Sequence, residues 1–518
     1  MKHVTNLLLG MLILVFSGCG EQRGTVTAAV PDREPPDSVR EATAVAASDK
    51  VVFTWVTPDT IDDTHTTIAE KNREFKGSLV LRGTTGRPLD LPLRETDYQV
   101  GDAIGASTVV YVGSDSGFTD ADVTKGQTYS YAIMAYDGIP NYSDPAFVEA
   151  TPGSEAKARF SHTATVLADG RLFVAGGVGY GNPERTGELF DPASDTFTPL
   201  GVLMLSRRFG HAATLLVDGR VLITGGYAEG FGASLRTATV FDPATDSFVA
   251  PGGDMTEVRA MHAQTLLPDG TVLVLGGSDG DVNLDTGETF DPATGTFEAL
   301  DATMVRARSS FTATGFAVDG HFRVLIAGGY DGDAAIATAE LFDFETRTFT
   351  DLAGNVGGET AMATSRLAHT ATLLPGGAAE RVLLCGGFSG NSVTGAQTAS
   401  CEIFTAGGAF ATGPAMTVAR SGHDAVTLAD GRVLLVGGID ADLNVLAAAN
   451  LFDPATDALV AVGDLVRART VPRASLLADG RVVVTGGNAS GNVYDPQPIS
   501  TAEAFAPSTL SFSTLIAP

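Results

Sequence analysis

The chain has 518 residues, of which 61 are acidic and 33 are basic, so its formal net charge is −28. Such a surface repels the phosphates of nucleic acids and of anionic lipids, which excludes a nucleic-acid-binding protein. Beyond the N-terminus, no apolar stretch approaches the ~20 residues that cross a bilayer. We therefore expect contact with a membrane only near the start of the chain.

The N-terminus has the pattern of a secretory signal. A short charged start precedes an apolar run from Leu7 to Phe16, which is too short to span a bilayer, and small residues follow it. Cys19 in this place resembles the lipid-accepting cysteine of bacterial lipoproteins, and Gly20 after it resembles lipoproteins sent to the outer membrane. The resemblance implies that residues 1–18 are removed, that acyl chains on Cys19 are the only membrane anchor, and that the protein lies in the bacterial cell envelope, in the outer membrane or at the cell surface. Ordinary signal cleavage beside an incidental cysteine is the alternative.

Two further segments precede the main part of the chain. Residues 19–35 are polar and proline-containing, which predicts a flexible tether. Residues 36–152 predict short strands at Val51–Val56, Ser78–Arg82, Ser107–Val112 and Tyr129–Tyr136, a number typical of one β-sandwich. The segment from Val123 through Tyr129 to Tyr131 resembles the fibronectin type III pattern, in which a glycine turn precedes a corner tyrosine. We expect Trp55 and these tyrosines to pack in the core.

The remainder of the chain repeats one pattern seven times, and each copy is marked by a pair of glycines. The copies, called repeats 1 to 7 in chain order, are spaced by 49 to 58 residues, a length that suits four short strands. The glycine pairs are Gly176-Gly177, Gly225-Gly226, Gly276-Gly277, Gly328-Gly329, Gly386-Gly387, Gly437-Gly438 and Gly486-Gly487.

Each repeat predicts four strands from its own residues. The first strand ends at Asp-Gly in six repeats, which predicts a two-residue type I′ hairpin turn. The second is an unbroken aliphatic run, typical of a strand that is buried on both faces. The third begins with Glu or a small polar residue and leads into a turn such as Asp-Pro-Ala-Thr. The fourth opens with an aromatic residue in six repeats, and repeat 6, with Leu459, is the exception.

This combination of a double glycine, an aromatic-Asp-Pro turn and a later aromatic residue resembles the kelch repeat, whose period is ~50 residues. The usual fourth-strand Trp is replaced here by Phe or Leu, a smaller side chain in the same packing slot. The sequence therefore predicts an all-β protein: a seven-bladed kelch-type β-propeller at residues 159–518, preceded by a fibronectin type III-like β-sandwich.

A set of arginines recurs at the start of every repeat. Three residues after each Arg stands a His in five repeats, replaced by Phe311 in repeat 4 and Pro472 in repeat 7. One hypothesis is a basic ring that binds a carboxylate-bearing ligand or an acidic peptide, with Tyr227 and Tyr330 of the adjacent loops in the same ligand-binding face. The alternative is structural, because each Arg or His could pair with the third-strand Glu of the repeat. The arginines are Arg159, Arg208, Arg259, Arg308, Arg366, Arg420 and Arg469.

The loops that follow the double glycines differ in every repeat, as expected where a rigid scaffold builds a binding surface. One of them alternates oxygen donors at Asp279, Asp281, Asn283 and Asp285 and resembles the start of a calcium loop. The glycine and terminal glutamate of that motif are missing, so a solvated acidic turn is the alternative. Apart from this possible Ca²⁺, we expect no cofactor.

Cysteine usage and catalytic motifs complete the functional prediction. Cys385 and Cys401 end and begin neighbouring strands of repeat 5, so an oxidising compartment would permit a disulfide. Galactose oxidase shares the kelch propeller, and that resemblance would imply copper held by a Cys-linked Tyr, a second Tyr and two His, some of them from a domain after the propeller. The sequence lacks this set and common hydrolase or phosphate-binding motifs. We therefore predict a monomeric, non-enzymatic binding or scaffold protein for a protein or glycan ligand; the alternative is an extracellular carbohydrate-active enzyme or a copper oxidase.

Overall fold

The computed structural model describes residues 36, 38–46, 51–57, 75–84, 91–123, 127, 129–137, 140–150, 157–179, 182–229, 233–352, 361–375, 380–391, 395–491 and 496–515. The described residues fall into two compact units, at 36–150 and 157–515. Both consist of antiparallel β-strands, which confirms the all-β prediction. The predicted signal at 1–18, with Cys19 and the tether, lies outside the described residues.

The first unit contains eight strands in two antiparallel sheets. One sheet has the order β1-β2-β6, and the other has the order β4-β5-β3-β7-β8. All four strands predicted in this segment are present with bounds that differ by at most one residue. The strands are β1 (Arg40–Ala46), β2 (Val51–Val56), β3 (Gly77–Gly83), β4 (Ala103–Ile104), β5 (Ser107–Gly113), β6 (Gly117–Asp120), β7 (Tyr129–Tyr136) and β8 (Ala146–Ala150).

Aromatic side chains from both sheets fill the core of this unit. Trp55 is 4% exposed and Tyr131 is fully buried. The ring of Tyr131 meets that of Phe53 edge to face, with centroids 4.6 Å apart, and its hydroxyl donates to Oδ2 of Asp120 at 3.0 Å. The buried hydroxyl thus keeps a hydrogen-bond partner, as the expectation of core packing requires.

The second unit contains seven four-stranded sheets, one for each repeat. In every sheet the four main strands follow one another in chain order. Repeats 1 to 4 contain β9 (Thr163–Val166), β10 (Leu172–Ala175), β11 (Gly187–Asp191), β12 (Thr196–Pro199), β13 (Ala212–Leu215), β14 (Val221–Thr224), β15 (Ala238–Asp242), β16 (Ser247–Val249), β17 (Ala263–Leu266), β18 (Val272–Leu275), β19 (Gly287–Asp291), β20 (Thr296–Ala299), β21 (Thr312–Val318), β22 (His321–Ala327), β23 (Ala339–Asp343) and β24 (Thr348–Asp351).

Repeat 5 differs from the others by a small extra hairpin, β27 and β28, in the loop that follows its double glycine. Repeats 5 to 7 contain β25 (Thr370–Leu374), β26 (Arg381–Cys385), β27 (Phe388–Ser389), β28 (Ala396–Gln397), β29 (Ser400–Thr405), β30 (Phe410–Ala415), β31 (Asp424–Thr427), β32 (Val433–Val436), β33 (Ala449–Asp453), β34 (Ala458–Ala461), β35 (Arg473–Leu476), β36 (Val482–Thr485), β37 (Glu503–Ala506) and β38 (Ser511–Thr514).

The Asp-Gly turns correct one prediction. In repeat 1, Leu167 pairs with Arg171 across a three-residue loop, and only Gly170 has a positive φ. This is the type I turn with a glycine bulge, not the two-residue type I′ turn. The cause is the Asp side chain: Asp169 Oδ1 accepts from the amide of Arg171, so the Asp acts as a cap and keeps a negative φ. Repeat 4 alone has the predicted two-residue turn, with positive φ at Asp319 and Gly320.

Adjacent sheets pack face to face and together form a closed series. The first strands of successive sheets contact one another, and β35 of repeat 7 contacts β9 of repeat 1. Five of the second strands are buried along their full length, as their aliphatic sequence predicts, whereas β22 and β26 begin with more exposed residues. Seven hydrophobic clusters are each shared by two adjacent repeats; one joins Phe173 of repeat 1 with Ile223 and Phe241 of repeat 2. Each sheet thus buries its faces against its neighbours, which a single four-stranded sheet cannot do.

Repeats 7 and 1 meet without exchanging a strand, because all four strands of repeat 7 come from its own segment, 473–514. The junction is held by a shared apolar cluster and by hydrogen bonds. The amide of Gly487 donates to the carbonyl of Arg159 at 2.9 Å, and Arg473 Nε donates to the carbonyl of His162 at 3.1 Å. We call the side of the unit that carries the Asp-Gly turns the hairpin face. There Arg481 donates to the carbonyl of Pro192 at 2.9 Å and pairs with Asp195.

Candidate functional site

The seven repeated arginines lie in the interior of the second unit. Their exposed fractions are 0 or 1%. Each guanidinium donates through Nη1 to the carbonyl of the first glycine of its own repeat; Arg159 donates to Gly176 at 2.8 Å and to Thr186 at 3.1 Å. The side chain thus ties the segment that enters a repeat to the end of its second strand. The same bond is made by Arg208, Arg259, Arg308, Arg366, Arg420 and Arg469.

Five of these arginines also pair with the third-strand Glu of their repeat. The nitrogen–oxygen distance is 3.2 Å for Arg159 with Glu188 and 2.5 Å for Arg308 with Glu340. The other oxygen of Glu340 accepts from the amide of Val305, so each carboxylate joins the guanidinium to the backbone. The remaining pairs are Arg259–Glu288, Arg366–Glu402 and Arg469–Glu503. These groups are not accessible to a ligand, and the arrangement favours the structural alternative over a ligand-binding basic ring.

The five repeated histidines link neighbouring repeats. His262 of repeat 3 bonds through Nε2 to Oγ1 of Thr224 in repeat 2 at 2.8 Å. Burial, together with the charges of Arg259 and Arg208, lowers the pKa of His262 to about 3. The ring is therefore neutral at pH 7, and it is bound to a threonine rather than to the Glu that the sequence suggested. Equivalent bonds join His162 to Thr485, His211 to Thr163, His369 to Thr312 and His423 to Thr370.

The double glycine is required because the next repeat packs directly on it. Gly225 has a φ of +57°, and a Cβ added there would lie 2.2 Å from the carbonyl oxygen of Arg259 and 2.9 Å from Cε1 of His262. Gly226 has a φ of +93°, and its Cβ would lie 2.7 Å from the carbonyl oxygen of Phe209. The Arg, the His and the glycine pair therefore form one unit at five of the seven junctions between repeats, and Phe311 or Pro472 takes the place of the His at the other two.

A ring of backbone hydrogen bonds, which the sequence analysis missed, surrounds the start of the first strands. The residue two places after each Arg has a positive φ in all seven repeats, although five of the seven are not glycine. In repeats 2 to 7 its amide donates to the carbonyl of the same position in the preceding repeat; Met261 donates to Gly210 at 2.8 Å and Ser310 to Met261 at 3.0 Å. The ring thus has six such bonds, and the described residues Ser161 and Val471 do not form the seventh. The positions are Ser161, Gly210, Met261, Ser310, Ala368, Gly422 and Val471. Residue type gives no signal for this ring, because the seven side chains share no property.

The variable loops surround this ring and are joined to one another. Ser234 Oγ donates to the carbonyl of Ser278 at 3.0 Å, Asn283 Nδ2 donates to the carbonyl of Tyr330 at 2.8 Å, and the amide of Ala335 donates to the carbonyl of Gly390 at 2.9 Å. These bonds connect the loops of repeats 2 to 5 in series. We call this surface the loop face.

The two predicted tyrosines do not present their rings on the loop face. Tyr227 is 1% exposed and packs in a cluster with Phe160 and Phe209. Tyr330 is 5% exposed, and its hydroxyl donates to the carbonyl of Gly332 at 2.7 Å. Both rings support their loops from beneath. In the described parts of these loops, the exposed large apolar side chains are Val282 and Leu443, at 60% and 56%.

The residues of the predicted calcium loop are engaged in local hydrogen bonds. Asp279 Oδ1 accepts from the amides of Asp281 and Val282, both at 2.8 Å, as in an Asx turn. Asn283 donates a hydrogen bond from Nδ2 to the backbone carbonyl of Tyr330, so its side-chain nitrogen is directed at the loop of repeat 4. Among the described residues, no group of three or more His, Cys, Asp or Glu side chains is arranged as a metal site. Calcium binding by Asp279, Asp281, Asn283 and Asp285 stays a prediction.

The two cysteines of the second unit form a disulfide. Cys385 of β26 and Cys401 of β29 are direct partners in the strand pairing, with Cα atoms 4.1 Å apart. Both side chains are buried, at 0 and 1% exposure. The bridge therefore links the second and third strands of repeat 5 inside the apolar cluster shared with repeat 6.

Comparisons with known proteins agree with this architecture. A family model for the Kelch motif matches residues 159–201, which are repeat 1. A solved structure described as a novel fungal alcohol oxidase of the AA5 family, in complex with copper, matches 66% of this chain and 73% of its own, with a TM-score of 0.52 and 20% sequence identity. No curated protein matches the chain. The second unit has a kelch-type β-propeller fold, and at this identity the likeness shows the fold alone.

The residues described here do not fit the copper set that the galactose oxidase resemblance implies. The five repeated histidines are bound to threonines inside the junctions between repeats, and burial lowers the pKa of each. Cys385 and Cys401 are bonded to each other, so neither sulfur is available for a link to a tyrosine. The fold is shared with the oxidase, but the described side chains are committed to packing.

Proposed function

We propose that the protein is an exported, lipid-anchored binding or scaffold protein that recognises a protein or glycan ligand through the loop face. In this proposal residues 1–18 are the signal, 19–35 the tether, 36–152 a fibronectin type III-like domain and 159–518 a seven-bladed propeller. The anchor is acylated Cys19, and the location is the bacterial cell envelope. The protein acts as a monomer and does not bind nucleic acid.

The domain assignments are supported by strand order. Seven sheets of four sequential strands follow one another, and the seventh contacts the first, as a seven-bladed ring requires. In the first unit, β1, β2 and β6 form one antiparallel sheet, and β3, β7 and β8 belong to the other. This division into two antiparallel sheets is that of a β-sandwich. The buried Tyr131 that follows the predicted glycine turn adds support for the fibronectin type III resemblance.

One observation carries the binding proposal: the loops of repeats 2 to 5 are hydrogen-bonded to one another in series, so their differing sequences form one continuous surface. Recognition surfaces gain affinity when loops are held in place before a ligand arrives. The repeated Arg, His and Gly residues are buried in contacts inside and between the repeats. What differs from one repeat to the next is the loop face, where we place the ligand.

Export is supported by the disulfide, because bridges persist in oxidising compartments. No helix in the described part of the chain is long and apolar enough to cross a membrane. The strongly acidic composition suits a protein that must stay soluble beside a membrane surface.

The proposal is tested by binding experiments with variants of the two faces. The full-length protein is applied to a glycan array and is cross-linked in an envelope extract, and each ligand found is titrated. Val282→Arg combined with Leu443→Arg alters the loop face, whereas Val217→Arg alters a 75% exposed valine on the opposite hairpin face. We expect at least about a tenfold loss of affinity from the first change, equivalent to ~1.4 kcal/mol, and none from the second.

Two results would overturn the proposal. Equal affinities of the two variants for the ligand would show that the loop face does not bind it. Oxidation of primary alcohols by the copper-loaded protein, or hydrolysis of a glycan, would replace a binding role by an enzymatic one.

A further inference from the structure

Repeat 2 departs from the other repeats at the site where the third-strand carboxylate meets the arginine. Its third strand carries Thr239 where five repeats carry Glu. Thr239 is fully buried, and its hydroxyl donates to the carbonyl of Val249 at 3.4 Å rather than facing the guanidinium. Among the described residues, no carboxylate forms an ion pair with Arg208. The carboxylate of Asp254 favours the charged form of Arg208 from a distance, but its ion pair is with the exposed Arg236, whose Nε lies 3.7 Å from Asp254 Oδ2.

Arg208 therefore holds a positive charge in the interior without a counter-charge. It is 0% exposed; Nη1 donates to two carbonyls, Nη2 donates to Thr237 Oγ1 at 3.1 Å, and Nε has no partner. Burial lowers the pKa of Arg208 to about 10, so the guanidinium still carries its charge at pH 7. Burying a charge is costly unless acceptor oxygens or a counter-charge surround it, and the position that a Glu or Asn oxygen fills in the other repeats is unfilled here, which predicts that a compensating group is bound there.

The backbone around this place supplies further donors. In repeats 4, 5 and 7 the Glu carboxylate accepts from the amides two and three residues before the Arg, as Glu340 does from Val305 and Arg306. The corresponding amides in repeat 2 belong to Leu205 and Ser206, and no acceptor for them lies among the described residues. Leu205 is 60% exposed, so this segment adjoins solvent.

Repeat 6 shows how the site is satisfied without a charge. Asn450 stands at the Glu position, and its Oδ1 accepts from Arg420 Nη2 and from Thr417 Oγ1, both at 3.2 Å. The neutral amide thus occupies the carboxylate position in that repeat. Repeat 2 has no such oxygen, because threonine is too short and its hydroxyl is directed at Val249.

We propose that repeat 2 binds a small monovalent anion of the chloride class, held by the Arg208 guanidinium and the amides of Leu205 and Ser206 in the position that a Glu carboxylate occupies in five other repeats. The ion supplies the missing counter-charge and completes the junction. The binding is specific to this repeat, because the other six repeats fill the position with a Glu carboxylate or with the side-chain oxygen of Asn450.

The first test uses thermal unfolding of the full-length protein at constant ionic strength, with sodium chloride exchanged for sodium gluconate, whose anion is too large for the site. Binding to the folded state alone should raise the Tm in a saturable way, by about 2 °C at tenfold excess over the Kd. Thr239→Glu should abolish this chloride dependence, because it installs the carboxylate used by the other repeats. Asn450→Glu, the matched change in repeat 6, should leave it intact.

The second test does not depend on any variant. Crystals of the unaltered protein grown in sodium bromide should show an anomalous peak beside Arg208 Nη2 and none beside Arg308. A chloride-specific rise in Tm that persists in Thr239→Glu, or the absence of a bromide peak at Arg208, would overturn the proposal and assign the position to water.

Discussion

The buried histidines make the stability of the propeller depend on pH in a defined direction. In the folded state the pKa of His262 is lowered to about 3, chiefly by burial, whereas an exposed histidine titrates near 6.5. Above pH 6.5 both states are neutral at this residue. As pH falls from 6.5 toward 3, only the unfolded state takes up the proton, so stability is lost over that window.

The size of the effect follows from these two pKa values. Between pH 7 and pH 5, one histidine that titrates only in the unfolded state lowers the free energy of unfolding by about 2 kcal/mol. His262→Phe should remove this dependence. The replacement is compatible with the site, because Phe311 occupies the equivalent position in repeat 4. A Cβ added at Gly276 would lie 2.9 Å from Cε1 of Phe311, and a Cβ added at Gly225 would lie at the same distance from Cε1 of His262.

The variant also loses the hydrogen bond to Thr224, at a cost of about 1 kcal/mol that does not vary with pH. We therefore expect His262→Phe to be about 1 kcal/mol less stable than the unaltered protein at pH 7 and about 1 kcal/mol more stable at pH 5, with the two curves crossing near pH 6. Urea unfolding at half-unit pH intervals measures both curves. Carboxylate titrations, including that of buried Asp424, cancel in the difference. Parallel curves would refute a neutral, buried histidine at this junction.

Three further changes test the junctions between repeats and the anchor. Gly225→Ala should destabilise the protein by about 3 kcal/mol or more, because the added Cβ clashes with its neighbours and φ is positive. Gly201→Ala, with no atom within 4 Å of the added Cβ, should leave the Tm unchanged, and equal Tm values for the two variants would contradict the close packing. Arg481→Ala should lower stability by about 1 kcal/mol in urea unfolding because it breaks the link between repeats 7 and 1, and more than Arg432→Ala, whose ion pair stays within its own hairpin. Cys19→Ala should abolish labelling by radioactive palmitate and move the protein out of the membrane fraction; retention there without lipid would disprove the lipid anchor.

The repetitive sequence predicted the strands of the second unit well, because each signal was averaged over seven copies. The aliphatic second strand and the double glycine correspond to buried positions, and the fourth-strand aromatic residue is buried or half-buried. Phe190 and Phe197, for example, pair at 4.8 Å between the third and fourth strands. The alternative that the repeated Arg pairs with the repeated Glu was also available from sequence, since opposite charges recurring in register are expected to meet.

Other features were not predictable, because they depend on contacts between repeats. The backbone ring through Met261 and Ser310 joins positions whose side chains have nothing in common. The bond from Asn283 to Tyr330 directs a predicted metal ligand toward the next loop, which spacing within one loop cannot reveal. The Asp-Gly turn was assigned the wrong length, because the Asp side chain caps the backbone and favours a three-residue loop.

The exceptions within the repeats identify junctions that are held by different chemistry. Repeat 7 carries Pro472 in place of the histidine, and its junction with repeat 6 is held by Asp424, whose Oδ2 accepts from the amide of Ala474 at 2.7 Å. Burial raises the pKa of Asp424, so on acidification the folded state takes up a proton at this residue before the unfolded chain does, and the residue does not lower stability as the pH falls. The junction between repeats 3 and 4, closed by Phe311, contains no histidine at this position, so the histidine contribution to acid sensitivity is absent there. Acid therefore acts unevenly around the ring: it weakens the histidine junctions and spares the two that have replaced histidine.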